Sequence, residues 1–162
     1  MSKKLQSKDN YLVGIISDTH GRLSHFVAKA FDGVDLIIHA GDIGEPNILK
    51  ALEKIAPTIA VRGNMDLGQW AQQLPSDKAI KISQISLHVV HDAYRLKLKS
   101  SEGEPDVVIS GHTHLPLQEE NQGVLYINPG SAGYPKYGQP ATVALLQIKG
   151  ESLQARIVEL KD

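Results

Sequence analysis

Five short apolar runs in this chain each lead into a residue that can bind a metal. Leu12-Val-Gly-Ile-Ile16 leads into Asp18-Thr19-His20, Leu36-Ile-Ile-His-Ala-Gly41 into Asp42, and Thr58-Ile-Ala-Val-Arg-Gly63 into Asn64. Ile85-Ser-Leu-His-Val-Val90 leads into His91, and Val107-Val-Ile-Ser-Gly111 into His112 and His114. Short apolar runs closed by turn-forming residues read as buried strands. In open α/β sheets, ligands bind in the crevice beyond the carboxyl ends of the strands. Five strands delivering oxygen and nitrogen donors to one edge of a sheet is therefore the primary expectation.

The segments between the runs divide the chain in two. In the first half, strands at 11–17, 35–40 and 58–62 alternate with helices. Ser24 is placed to cap one helix running to about Phe31, and Pro46 suits the first turn of another ending near Ile55, before Pro57. Strands separated by helices imply a mainly parallel sheet. In the second half, 78–83 and 85–90 form a hairpin and 94–100 a short helix. Strands follow at 107–110 and 124–127, and a closing hairpin turns at Lys149-Gly150-Glu151. Residues 64–77 form a long loop over the ligand edge. The expected fold class is α/β: two sheets packed face to face with helices outside, one fed by βαβ units and one by hairpins. Residues 1–10 read as a polar N-terminal tail and 11–162 as a single domain.

Composition narrows the function classes. At 162 residues the chain can bury a core without staples. A formal net charge of −1 gives no nucleic-acid footprint. The absence of cysteine excludes disulfides, thiolate metal sites and cysteine nucleophiles. With no signal-peptide core in residues 1–10 and no membrane-length apolar run, a soluble cytoplasmic protein is expected.

Asp18, His20, Asp42, Asn64, His91, His112 and His114 together comprise two carboxylates, one amide and four imidazoles. That mixed set suits Mn²⁺, Zn²⁺ or Fe rather than Ca²⁺ or Cu(I). Seven donors exceed one tetrahedral site and suit two adjacent ions roughly 3.5–4 Å apart, sharing a carboxylate. Singly, each motif reads as turn chemistry; their joint occurrence at the ends of successive runs reads as a site.

The motifs Asp18-x-His20, Gly41-Asp42, Gly63-Asn64-x-Asp66, His91, Gly111-His112-Thr113-His114 and Asn128-Pro129-Gly130-Ser131 resemble those of the calcineurin-like metallophosphoesterases, specifically their small single-domain phosphodiesterase branch. The resemblance implies a four-layer α/β/β/α sandwich of two mixed sheets with flanking helices. It implies a first ion on Asp18, His20 and His114 and a second on Asn64, His91 and His112, with Asp42 bridging. It further implies hydrolysis of a small phosphate ester by a metal-bridging hydroxide. Mn²⁺ is the first choice of ion, with Zn²⁺, Ni²⁺, Fe and Mg²⁺ as alternatives. No membrane partner is expected, and the family often forms homo-oligomers.

Two departures from the pattern bear on activity. Monoesterases of the family usually carry histidine after the Gly-Asn pair, where this chain has Met65, which cannot donate a proton. Asp66, which would orient that histidine, is left without an obvious partner, and a preference for phosphodiesters follows. Asp92 stands where the branch commonly has glycine and adds negative charge beside the second ion. Arg62 is a candidate for meeting a substrate phosphate. His39 and His88, within apolar strands, read as packing or supporting residues, and His25 as an exposed helix residue. Asn128 to Ser131 reads as a structural turn near the site, and Arg95 to Glu104 as a solvated helix face and loop. Trp70 suits a lid, an oligomer contact or core. The rival reading is a protein-interaction scaffold on the same fold with a vestigial metal site. Retention of all seven donors favours the enzyme.

Overall fold

The computed structural model describes residues 9–96 and 103–161. The first sheet comprises β1 (Asn10–Ile16), β2 (Leu36–His39), β3 (Thr58–Ala60), β9 (Thr142–Lys149) and β10 (Ser152–Glu159) in the order β10-β9-β1-β2-β3. The second comprises β4 (Asp77–Ile82), β5 (Ile85–Val90), β6 (Val107–Ile109), β7 (Pro116–Asn121) and β8 (Val124–Pro129) in the order β4-β5-β6-β8-β7. Both are mixed: β1, β2 and β3 run parallel, as do β5, β6 and β8, while the hairpin partners run antiparallel. This is the two-sheet sandwich expected from the sequence.

Side-chain alternation decides the layers. Tyr11, Val13 and Ile15 of β1, Leu36 and Ile38 of β2 and Ala144, Leu146 and Ile148 of β9 face Leu87, Val89, Val107, Ile109 and Ile127 of the second sheet. The opposite parity (Ile16, Ile37, Val143 and Leu145) packs beneath the helices, which contribute Val27, Ile48 and Leu52. The described helices α1 (Phe26–Ala30), α2 (Pro46–Glu53) and α3 (Gln69–Gln72) belong to this layer. Pro46 opens α2 as expected. Ser24 accepts from the Phe26 N–H at 3.1 Å, one residue ahead of the N-cap position, which His25 occupies. No described helix is long and apolar enough to cross a membrane.

Three local expectations need correction. The loop at 64–77 contains α3, and Trp70 on it packs half-buried against the helix-side core. The helix expected over 94–100 is a 3₁₀ turn at Ala93–Arg95; Lys97, Lys99 and Glu102 lie outside the described residues, as do residues 1–8 of the N-terminal tail. Strand β7 was not expected. It is an exposed, polar edge strand beginning at Pro116 and carrying Glu119 and Glu120, so it has no apolar alternation to betray it.

Candidate metal centre

The carboxyl ends of strands from both sheets meet at one edge. Asp18 and His20 follow β1, Asp42 follows β2, His91 follows β5, and His112 and His114 follow β6. Each carboxylate divides its oxygens between scaffold and centre. Asp18 Oδ2 accepts the Ser17 hydroxyl at 2.7 Å and the His112 N–H at 3.1 Å. Its Oδ1 lies 3.2 Å from His114 Nε2, 3.7 Å from His20 Nε2 and 3.9 Å from His91 Nε2. Asp42 Oδ1 accepts the Met65 N–H at 2.8 Å, while Oδ2 stands 3.2 Å from His91 Nε2 and 3.7 Å from His20 Nε2.

Backbone carbonyls set the imidazole tautomers. His91 Nδ1–H donates to the Ala40 carbonyl at 2.8 Å and His114 Nδ1–H to that of Tyr134 at 2.6 Å. Both rings therefore aim Nε2 inward, the arrangement that orients metal-binding histidines. Ser131 Oγ donates to the Asp18 carbonyl, and Asn128 Nδ2 to the Gly111 carbonyl and to Thr113 Oγ1. The Asn128–Ser131 turn thus supports the loops of β1 and β6. No sequence signal could have assigned the Ala40 and Tyr134 carbonyls, because backbone acceptors carry no residue signature.

The centre is crowded, and its backbone shows it. Asp18, His20, Asp42, His112 and His114 all have positive φ, between 47° and 74°. A left-handed non-glycine residue costs roughly 1–2 kcal/mol, and such strain concentrates at functional sites. Gly41, at φ 105°, leaves room for the His91 ring, and a Cβ on Gly63 would collide with the Asp42 backbone N.

The donors fit a cation. Asp18 Oδ1, His20 Nε2 and His91 Nε2 are buried without a hydrogen-bond partner, a condition that calls for an ion or a functional cause. Two donor groups, Asp18–His20–His114 and Asp18–Asp42–His91, each have their ligand atoms within 4.8 Å of one another. Burial would raise the Asp18 carboxyl, but His20, His91 and Ser17 outweigh it and hold it below the ordinary range. Asp42 follows the same pattern: burial raises it, and His91 and the Met65 N–H more than offset that. Contact with Asp18 raises His20; burial of His91 is outweighed by Asp42 and Asp18, so it is raised too. Both carboxylates stay ionised and draw positive charge into the centre.

Asn64 and His112 stand at the mouth rather than in these tight groups. Both line two hollows, one with Met65, Tyr134 and Lys136 and the other with Arg62, Asp77 and Arg95. The His112 ring lies 5.2 Å from that of His91. Asp92 accepts the Tyr94 N–H and lies 4.0 Å from His112 Nε2, so its charge does sit beside this side of the centre.

Asp66 is not without partners. Buried, it accepts N–H bonds from Ile43 at 3.2 Å, Gly44 at 3.0 Å and Gly63 at 2.9 Å, tying the loop after β2 to the loop after β3. His39 is fully buried on the helix side. Its Nδ1 accepts the Gly41 N–H, and Nε2–H donates to Thr19 Oγ1, which donates to the Ile43 carbonyl. Burial lowers its pKa to about 4, so it is a neutral structural strut. His88 pairs with Asp77 at 2.8 Å and belongs to neither donor group.

The calcineurin-like phosphoesterase superfamily domain matches residues 11–151, which include every candidate ligand. The chain belongs to this superfamily. It is 37% identical over 159 residues to a probable metallophosphoesterase of Methanothermobacter thermautotrophicus, covering 91% of each chain. It is 30% identical to a phosphodiesterase of Methanocaldococcus jannaschii, covering 91% of this chain and 99% of that protein. The structure of vacuolar protein sorting 29 from Cryptosporidium parvum superposes with a TM-score of 0.80 at 18% identity, covering 96% of this chain and 94% of the other. At that identity the likeness is one of fold. The chain is thus a metallophosphoesterase-family hydrolase whose candidate ligands suit divalent ions.

Proposed function

We propose that this metallophosphoesterase is a dinuclear phosphodiesterase, with Mn²⁺ as the first choice of ion. The observation that carries the reading is the pair of donor groups that share Asp18, with Asp42 Oδ2 within 3.7 Å of one histidine from each. In this reading Asp18, His20 and His114 hold one ion, and Asn64, His91 and His112 the other. Asp42, whose Oδ2 faces both His20 and His91, would be shared between the two sets. Bound divalent ions supply Lewis acidity toward phosphoryl oxygens and bring a bound water's pKa toward neutrality. The chain's part is to fix these donors before substrate arrives: carbonyls orient the imidazoles, and Ser17 and Met65 N–H each occupy one carboxylate oxygen. No protein nucleophile is required.

The diester preference rests on Met65, which is 58% exposed at the mouth and cannot protonate a leaving oxygen. A positioned general acid is typically worth about 10²–10⁴-fold, so esters with good leaving groups suffer least without one.

The test uses metal-stripped protein, reloaded with Mn²⁺, Zn²⁺, Ni²⁺ or Mg²⁺ and assayed on matched mono- and diesters. Chelation should abolish turnover, Mn²⁺ should restore it, and kcat/KM should favour diesters. Metal analysis should give two ions per chain, with Asp42→Ala losing more metal than His91→Ala. Turnover that survives verified metal removal, or a clear monoester preference, would overturn the reading. A vestigial scaffold would show neither stoichiometric ion binding nor turnover.

A further inference from the structure

Two hollows lie beside the centre, one on the Arg62 side and one on the Lys136 side. The hollow on the Arg62 side has a volume of about 550 Å³ and runs from Asn64, His91 and His112 past Ser76 to Leu96. That size falls within the roughly 300–1,000 Å³ usual for small-molecule sites. Apart from histidine, four of its lining residues carry formal charge: Arg62, Asp77, Asp92 and Arg95. Asp77 is held by His88 at 2.8 Å, and Asp92 faces Arg95 at 3.7 Å. Arg62 is the exception. Its guanidinium makes no hydrogen bond or ion pair with any described residue.

A half-buried arginine whose five donors have no partner among the described residues can receive an anion, because its fork matches the two oxygens of a phosphate or carboxylate. Partial burial strengthens such a contact relative to open solvent. The backbone holds the residue in place: the Arg62 N–H donates to the Pro75 carbonyl at 2.8 Å, and Asn64 follows two residues later. The hollow also runs past Asn64 and His112 to Ser76, Arg95 and Leu96, room for more than a single phosphate.

We propose that the substrate is a phosphodiester with one ester arm ending in a second anionic group, phosphate or carboxylate, and that Arg62 receives that group in this hollow. The inference rests on the phosphodiesterase reading and adds the substrate class.

The experiment uses the Mn²⁺-loaded protein and three diesters that share one leaving group. Their second arm is a short alkyl chain ending in methyl, in carboxylate or in phosphate. The two anionic arms show which anion the hollow takes. A hydrogen-bonded charge contact is worth about 1.5–3 kcal/mol, so the preferred anionic arm should lower KM by on the order of 10–100-fold relative to methyl. Arg62→Ala should remove most of that preference, and Arg62→Lys, which keeps the charge without the fork, should retain part of it. An unmodified enzyme with no preference for either anionic arm would overturn the proposal. So would equal losses on all three substrates in Arg62→Ala, because the arginine would then serve the reacting phosphate. Hydrolysis-resistant phosphonate analogues with the same arms, titrated by calorimetry, separate the two readings. An arm preference in binding without turnover sinks the phosphodiesterase reading alone, and equal binding of all three analogues sinks the anionic arm.

Discussion

Asp66 shows how a residue's role can differ from what its motif implies. In sequence it appears as the orienter of a missing histidine. In the fold its two oxygens satisfy three backbone N–H groups, two directly after Asp42 and one directly before Asn64. Removing a buried acceptor leaves its donors unsatisfied, at about 1–3 kcal/mol each and not additively. Asp66→Ala should therefore cost about 3–5 kcal/mol in metal-free urea unfolding, and a cost below 1 kcal/mol would show that water replaces the carboxylate freely. His39 gives a pH prediction. Its folded pKa of about 4 lies below the ordinary 6.5, so the unfolded chain binds the extra proton between those values. Stability is lost as pH falls through that window, by up to about 3 kcal/mol. In metal-free protein, the advantage of wild type over His39→Gln should shrink by that order between pH 7 and pH 4. An unchanged difference would mean that His39 is not neutral in the folded state. The seven candidate ligands could be named in advance because each follows a recognisable run of apolar residues. The hydrogen bonds that aim them were not, because Ala40, Tyr134 and Asp66 meet their partners only through tertiary contacts.

At the level of elements, burial decided what could be read in advance. Strands β1, β2, β5 and β9 are mostly buried and largely apolar, so their existence was plain and their ends moved by a residue at most. Strand β7 belongs to the sheet through backbone pairing with β8, and five of its six residues are exposed. The Gln122-Gly123 turn that joins the two strands has φ of 52° and 81°, and two successive positive φ values fit a tight hairpin. Helix α3 spans four residues, too few for a periodic pattern. The loops after β2 and β3 approach so closely at Gly63 that a methyl group there would meet the Asp42 backbone. Gly63→Ala should displace Asp42, cost about 1–3 kcal/mol as overpacking does, and lower the metal content. Full metal content in a stable Gly63→Ala protein would show that the loops can part without harm.

Across the whole molecule, the candidate ligands come from both halves of the sandwich. Asp18, His20, Asp42 and Asn64 follow strands of the first sheet, and His91, His112 and His114 follow strands of the second. Direct bonds already cross at this edge, from the His91 ring to the Ala40 carbonyl and from the His112 N–H to Asp18. Any ion held by members of both sets would act as a rivet between layers that otherwise adhere through apolar contact, which has no preferred direction. Sliding one layer over the other would then break coordination before it exposed the interior. Ligand binding to the folded state adds about 2.7 kcal/mol at a hundredfold excess over Kd. With a rivet, that gain should appear as slower amide exchange in β1 and β2 and in β5 and β6 together, turning two separable opening units into one. Protection confined to a single sheet on adding Mn²⁺ would mean the ion is held by one layer alone. The edge proposed to do the chemistry would then also set how cooperatively the sandwich opens, so a cell short of the metal would hold a looser molecule.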